Sequence, residues 1–293
     1  MKLLLTGAQG QLGREIARTL PAERLTALAR AELDIADPQT VAVRLDAERP
    51  GLLVNAAAYT AVDRAEDEEE QAFRANAEGP KVLAEACRAR GIPLLQISTD
   101  YVFDGTLDRP IHEDDATNPL GVYGRSKLAG EEAVRAAQPE HIILRIAWVF
   151  GALGANFPAT MLRLARERER LRIVDDQHGG PTPTRSVALA VARLAERLER
   201  EGTLPWGTYH YAGTPATTWR RFAETIFAEA KPRGLIPRIP TVEAITTAEF
   251  PTKAHRPANS VLDTARSREV LGLEPADWNS ELCAVLDEWA RDL

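Results

Sequence analysis

The sequence predicts an α/β protein: a doubly wound, mostly parallel sheet with a smaller C-terminal lobe. Three observations predict it. Short apolar runs alternate with longer amphipathic ones through the first half of the chain, the pattern of βαβ units. Three glycines, Gly7, Gly10 and Gly13, stand directly after the first apolar run. Beyond about Gly151 the texture changes, and mixed-charge and proline-rich stretches replace the alternation. Right-handed crossovers then place helices on both faces of the sheet.

In order, residues 2–5 form the first strand, and a helix runs from the glycine turn to residue 20. Residues 25–29 are the second strand, 38–48 a helix, and 52–56 the third strand. Residues 65–90 read as one long helical stretch, and 94–98 as the fourth strand, entered after Gly91 and Pro93. A helix over 127–137 and a strand over 142–147 complete the alternation. Residues 161–172 (MLRLARERERLR) read as a helix whose charges form a solvated face. The acidic run AEDEEE at 65–70 reads the same way, its carboxylates favouring a helix N-terminus. Prolines at 181–183 and between 232 and 257 predict irregular loops.

With 293 residues, the chain suits one large domain or two modest ones. Its 44% hydrophobic and 27% charged residues exclude wholesale disorder and a fibre. The 36 basic and 43 acidic residues give a net charge of −7, which argues against a nucleic-acid partner. A small phosphorylated ligand needs only a local patch. Cys87 and Cys283 lie far apart with no metal-like spacing, so free thiols in a reducing compartment are expected. The N-terminal MKLLLTGAQG has too short an apolar run for a signal peptide, and no run approaches a membrane span. The chain is expected to be cytoplasmic, with no membrane partner.

Residues 6–13 read TGAQGQLG, a GxxGxxG pattern between a strand and a helix, as a dinucleotide-binding turn requires. In that reading Gly7 lets the chain turn sharply, Gly10 lets backbone approach a pyrophosphate, and Gly13 allows close helix–strand packing. The phosphates would lie on the free N–H groups where the helix begins at Gln11. The competing reading is a purely structural turn. At the end of the second strand, an acid would bind a ribose 2′-hydroxyl and an arginine would accommodate a 2′-phosphate. There the chain runs into Arg30, with Glu32 and Asp34 beyond. Arg30 points to NADPH unless it is simply a surface arginine. The expected division is a dinucleotide-binding domain over 1–150 and a mainly substrate-binding lobe over 151–293. Segments around 176–200 are expected to return to the first domain.

Tyr123 and Lys127 stand four residues apart at a helix start, on one face. A free phenol, with a pKa of about 10, is a poor acid–base catalyst at neutral pH. A neighbouring ammonium lowers that pKa and tunes the phenol for proton exchange with a carbonyl or alcohol oxygen. Most such pairs are solvated helix faces. This one has company: Thr99 ends the strand over 94–98, on the side where open parallel sheets bind ligands. Its hydroxyl can hydrogen-bond the oxygen that Tyr123 protonates.

With NAAAYT (55–60), STDYVFDG (98–105), YGRSK (123–127), DQHGGPT (176–182) and RPANS (256–260), the chain resembles the extended short-chain dehydrogenase/reductase family. The likeness spans nearly the whole chain and implies a Rossmann-type fold. The glycine and YxxxK motifs mark only the superfamily. AAAYTAVDRAE (56–66), STDYVFDG and RIAWVFG (145–151) are far more specific to its sugar-nucleotide reductases. The resemblance implies reduction of the C4 keto group of dTDP-4-dehydro-L-rhamnose to dTDP-L-rhamnose, a precursor of cell-surface polysaccharide. NADPH is the expected cofactor, with NADH accepted. Tyr123 would be the proton donor, with Lys127 and Thr99 completing the triad. Cofactor contacts are implied at Gly10, Gln11 and Leu12, at Asp34 and Ile35, and at Ala56, Ala57 and Ala58. Sugar contacts are implied at Thr99, Asp100 and Trp148, with Asn156 on the nucleotide side. Trp148 ends a buried strand, where its apolar face could stack on a sugar ring. Some relatives hold a divalent metal such as Mg2+ between subunits through glutamates. Glu15 and Glu288 match two of these, but Arg185 stands near the third, which counts against a shared metal. A monomer and a homodimer both remain open.

Two rivals share these motifs. A nucleotide-sugar epimerase or dehydratase of the same fold could use Asp100 as an extra acid. A non-catalytic regulatory subunit, resembling that of methionine adenosyltransferase, would have no need of Thr99, Tyr123 and Lys127 together.

Overall fold

The computed structural model describes residues 1–291. Five strands, β1 (Leu3–Thr6), β2 (Leu25–Leu28), β3 (Leu52–Asn55), β4 (Leu94–Thr99) and β5 (His141–Ile146), match the apolar runs to within one residue at either end. A sixth strand, Gly207–His210, joins them in the spatial order sixth, β5, β4, β3, β1, β2. Every pairing is parallel, so both faces need helical cover. Leu4, Leu53, Leu94 and Ile143 pack against Val41 and Leu45 of α2 (Pro38–Glu48) and against Leu83 and Cys87. On the other face, Leu3, Leu5, Val54 and Leu144 pack against Ile16 of α1 (Gln11–Thr19) and Val187, Val191 and Leu194 of the helix Thr184–Glu201. The chain reverses its lateral direction between β1 and β3, the crevice where such sheets bind ligands.

A second core holds the lobe. Phe150, Leu162, Ile173, Phe222, Phe227, Trp278 and Leu282 come together from three separate stretches of chain. Between 150 and 291, therefore, the chain alternates between lobe and main sheet.

Several local expectations change. The stretch 65–90 is not one helix: Val62–Ala65 and Glu69–Phe73 lead through a π turn, Arg74–Glu78, into Gly79–Arg88. Pro80 explains the break, because it has no N–H for the Asn76 carbonyl four residues back. The freed carbonyl fits against Gly130, where a Cβ would overlap it. Residues 161–172 divide as well. A helix, Phe157–Glu167, ends before the strand Arg170–Val174, whose leading residues alternate exposed and buried. That strand pairs with Thr241–Ile245, which lies inside the proline-rich region expected to be irregular.

The acidic run is not merely a solvated face. Glu66 Oε1 accepts the Val122 N–H at 2.8 Å, capping the helix Val122–Ala137 from a distance. Asp67 pairs with Lys253, and the preceding Asp63 with Arg256. These acids fasten the 253–256 loop over the main domain.

Candidate active site

β4 runs out at Thr99, and the chain folds at once into a single turn, Asp100–Val102. Thr99 Oγ1 caps this turn, accepting the Tyr101 N–H at 3.2 Å and donating to Asp100 Oδ1 at 3.0 Å. Above it the helix Val122–Ala137 opens with Tyr123 in its first turn and Lys127 one turn later. Gly124 lets this helix approach, since a Cβ there would overlap the Tyr101 carbonyl. Tyr101 meets the Tyr123 ring edge-on, with centroids 5.4 Å apart. Thr99 and Tyr123 are therefore brought together.

Burial pushes the Tyr123 phenol well above its ordinary range, the Thr99 hydroxyl pulls it partly back, and the Asp100 carboxyl adds to the rise. This reverses the expectation that Lys127 lowers it. Lys127 instead donates to the Ile97 carbonyl at 2.7 Å, and no hydrogen bond joins the ammonium to the phenol among the described residues. Burial lowers the Lys127 pKa to about 8, partly offset by the Glu131 carboxylate one turn on. Glu131 is itself buried and held by Arg145 at 2.7 and 2.9 Å. Burial likewise lifts the Asp100 carboxyl to about 6, against the pull of the Ser260 and Thr99 hydroxyls. Its buried Oδ2 has no hydrogen-bond partner among the described residues.

A buried polar row runs beneath. Thr6, Asn55 and Gln96 stand in register on β1, β3 and β4. Thr6 donates to Asn55 at 2.6 Å, Asn55 to Gln96 at 2.7 Å, and Gln96 to the Ile97 carbonyl at 2.8 Å. The carbonyl that holds Lys127 thus ends a chain beginning beside the glycine turn.

That turn has the shape a pyrophosphate needs. Gly7 adopts φ +76°, and a Cβ there would overlap the Ala56–Ala57 backbone. A Cβ on Gly13 would overlap Gly7 itself. Gly10 precedes α1 without side-chain capping, leaving N–H groups of the first turn free for an anion. Gln11 begins α1, whereas the Leu12 side chain belongs to the core, so Leu12 can offer a ligand only backbone. Ala56 and Ala57 lie alongside, and Ala58 follows. Arg30 is exposed just past β2. Burial raises the Asp34 carboxyl, but the Arg74 hydrogen bond at 2.7 Å, the Ala36 N–H and the Arg30 charge together hold it below its usual range. Ile35 is buried against Gly79.

Beside Thr99 and Tyr123, a cavity of about 870 Å³ opens between the main domain and the lobe. Tyr101, Trp148, Trp219, Gln177, Arg256 and Ser260 line it. Trp148 has φ +47°, a left-handed conformation rare for a bulky residue. Asn156 is not at this cavity. Its side chain caps the helix Phe157–Glu167 through the Ala159 N–H and donates to the Gly151 carbonyl. Its loop packs towards the cofactor turn instead, where Gly154 lies against Gln11.

The family model described as the RmlD substrate binding domain matches residues 1–291. The chain belongs to this family. A dTDP-4-dehydrorhamnose reductase of Aggregatibacter actinomycetemcomitans is 43% identical, over 96% of this chain and 97% of that protein. The enzyme of the same name from Escherichia coli K12 is 40% identical, over 98% of each. Among solved structures, the dTDP-4-dehydrorhamnose reductase of Bacillus anthracis in complex with NADP superposes with a TM-score of 0.90 at 33% identity, over 98% of this chain and 100% of that one.

For a member of the RmlD family, the pair Glu15 and Glu288 bears on a bridging metal. Arg18 stands between them, donating to Glu288 at 2.6 Å and to Glu15 at 2.9 Å. Arg185 lines the same hollow. Among the described residues no group of three His, Cys, Asp or Glu is placed to hold a metal. The Arg18 guanidinium thus pairs with both carboxylates and offsets one of their two charges.

Several site residues escaped the sequence reading. Asn76, in the π turn, bonds both the Tyr59 backbone and Ser126 of the Tyr123 helix. Arg74 lies beside Asp34, and Arg256 donates to the Tyr101 hydroxyl at 2.8 Å. Polar Asn55 and Gln96 inside otherwise apolar strands were the available signal for the buried row.

Proposed function

We propose that the chain reduces the C4 keto group of dTDP-4-dehydro-L-rhamnose with NADPH, yielding dTDP-L-rhamnose. The single observation that carries this reading is the meeting of Thr99 and Tyr123 at the end of β4, next to a cavity of about 870 Å³. The names of the relatives and the NADP of the B. anthracis enzyme support it.

The glycine cradle and the uncapped N-terminus of α1 fit a dinucleotide, and Arg30 and Arg74 offer two guanidiniums to a 2′-phosphate. Bound there, the reduced nicotinamide supplies a hydride. Tyr123 delivers a proton to the C4 oxygen, while Thr99 holds that oxygen by a hydrogen bond. Reduction needs a phenol that is protonated at neutral pH, as a phenol with a pKa of about 10 already is. Lys127 has no hydrogen-bond partner besides Ile97 among the described residues. Its other two protons are free for the ribose hydroxyls of the cofactor. Asp100 is bonded to Thr99 through Oδ1, and a sugar hydroxyl would reach its second oxygen, buried in this structure, only after a local shift. Asn156 serves the nucleotide side only through the loop it shapes. NADH is accepted, since the guanidiniums add to binding without gating it.

Among the described residues no helix is long and apolar enough to cross a membrane. The test mixes protein, NADPH and the 4-keto sugar nucleotide, follows NADPH absorbance, and identifies the product by NMR. dTDP-L-rhamnose is expected. Its C4 epimer would reverse the predicted binding face, and the absence of oxidation would favour a regulatory role.

A further inference from the structure

Trp148 was expected to offer a sugar the face of its ring, but both faces are taken. Trp219 stacks on one, with centroids 3.6 Å apart and planes at 9°. Gly179 lies on the other. A Cβ added to Gly179 would fall closest to Cε2, Nε1 and Cδ2 of the indole, and Cε2 and Cδ2 are the inner atoms of the fused bond. Such a point lies over the ring, not beside it. It lies opposite Trp219, because a stacked ring and a Cβ cannot share one face. Trp219 is fixed in turn: its Nε1 donates to Gln177 at 3.1 Å, and Gln177 donates to Thr247 at 3.0 Å.

An indole clamped in this way reaches a ligand only by its rim. The rim of an aromatic ring carries positive partial charge, and its face negative. The Nε1–H groups of Trp148 and of the distant Trp206 have no partner among the described residues, whereas those of Trp219, Trp278 and Trp289 are bonded. We propose that Trp148 meets the substrate edge-on, recognising a sugar oxygen and not the C–H face of the ring. Trp219 and Gly179 are the positioning residues that enforce this orientation. The proposal rests on the reading of the cavity as the sugar-nucleotide site.

Two measurements test it. In the first, dTDP-L-rhamnose is titrated into protein carrying 15N-labelled indoles, with the Trp148 signal assigned by its loss in Trp148→Phe. The Trp148 Nε1–H proton moves downfield, and the sugar protons show no upfield ring-current shift. Upfield-shifted sugar protons would place the sugar over the ring and overturn the proposal. In the second, Trp219→Leu raises the KM of the 4-keto sugar nucleotide about three- to tenfold, the range for a lost aromatic pair. The KM for NADPH is unchanged, and Trp219→Phe restores most of the loss. A folded Trp219→Leu variant with wild-type sugar KM, beside an active wild type, overturns this inference alone. A wild type that oxidises no NADPH with this substrate overturns the reading of the site and the inference with it.

Discussion

Replacing Lys127 by Met should make the protein more stable while abolishing its chemistry. Burial brings the ammonium from an ordinary pKa of 10.5 down to about 8, with Glu131 only partly offsetting it. Each unit is worth about 1.4 kcal/mol, so carrying this charge inside at pH 7 costs the fold about 3 kcal/mol. Methionine fills a similar volume and leaves nothing orphaned. The Ile97 carbonyl keeps the Gln96 amide, and Glu131 keeps Arg145 and Arg135. The pH dependence has a definite sign. The folded protein releases the Lys127 proton near pH 8 and the unfolded chain near 10.5, so between those values the unfolded state binds more protons. Wild-type stability therefore rises with pH across that window. The advantage of the variant is full below about pH 8 and gone by about 10.5. Urea unfolding followed by tryptophan fluorescence at pH 7, 9 and 10.5 measures it. A variant no more stable than wild type at pH 7, or one whose gain persists unchanged at pH 10.5, refutes the reasoning.

Tyr123→Phe keeps the ring and loses the transferable proton, so kcat should fall about 10²- to 10⁴-fold with NADPH affinity nearly unchanged, as steady-state kinetics and cofactor titration will show. Arg30→Ala and Arg74→Ala should each lower kcat/KM for NADPH about tenfold, the scale of a charged hydrogen bond. NADH kinetics should be unaffected, and unchanged cofactor preference in both variants would remove the guanidiniums from the site. Glu66→Ala should cost about 1 kcal/mol in urea unfolding, the usual worth of a helix cap. It should also lower kcat several-fold, because the capped residue Val122 adjoins Tyr123, and Glu66→Gln should recover part of both.

The parallel sheet was legible because each strand is an apolar run bounded by polar or turn residues, and burial on both faces demands that pattern. The glycine turn was legible for a similar reason: position and spacing together specify its backbone. What escaped depends on contacts between distant segments. AEDEEE looks like any solvated helix start, and nothing local says that Glu66 caps a helix more than fifty residues on or that Asp67 meets Lys253. The break in the 65–90 stretch was visible in Pro80, but its use, a freed Asn76 carbonyl against Gly130, was not. For Arg170–Val174 the signal was present and misread. Alternation of Arg with Leu and Ile has the period of a strand, and the charge pattern of the preceding helix masked it. The chemistry at Tyr123 was half legible. Residue types and spacing singled out Tyr123, while the direction of its pKa depended on where Lys127 points, which only the fold decides.

The polar row beneath the site also acts as a ruler. Thr6, Asn55 and Gln96 occupy matching rungs on three adjacent strands, and the interval from β1 to β4 is two strand spacings, about 10 Å. Backbone hydrogen bonds fix that interval, and no loop or side-chain rotamer can stretch it. One end of the ruler is the glycine turn proposed to hold the diphosphate, and the other is the carbonyl that holds Lys127. In the proposed function, the reach from the diphosphate to Lys127 is therefore graduated in whole strands. A cofactor of another length could be accommodated only by rebuilding the sheet.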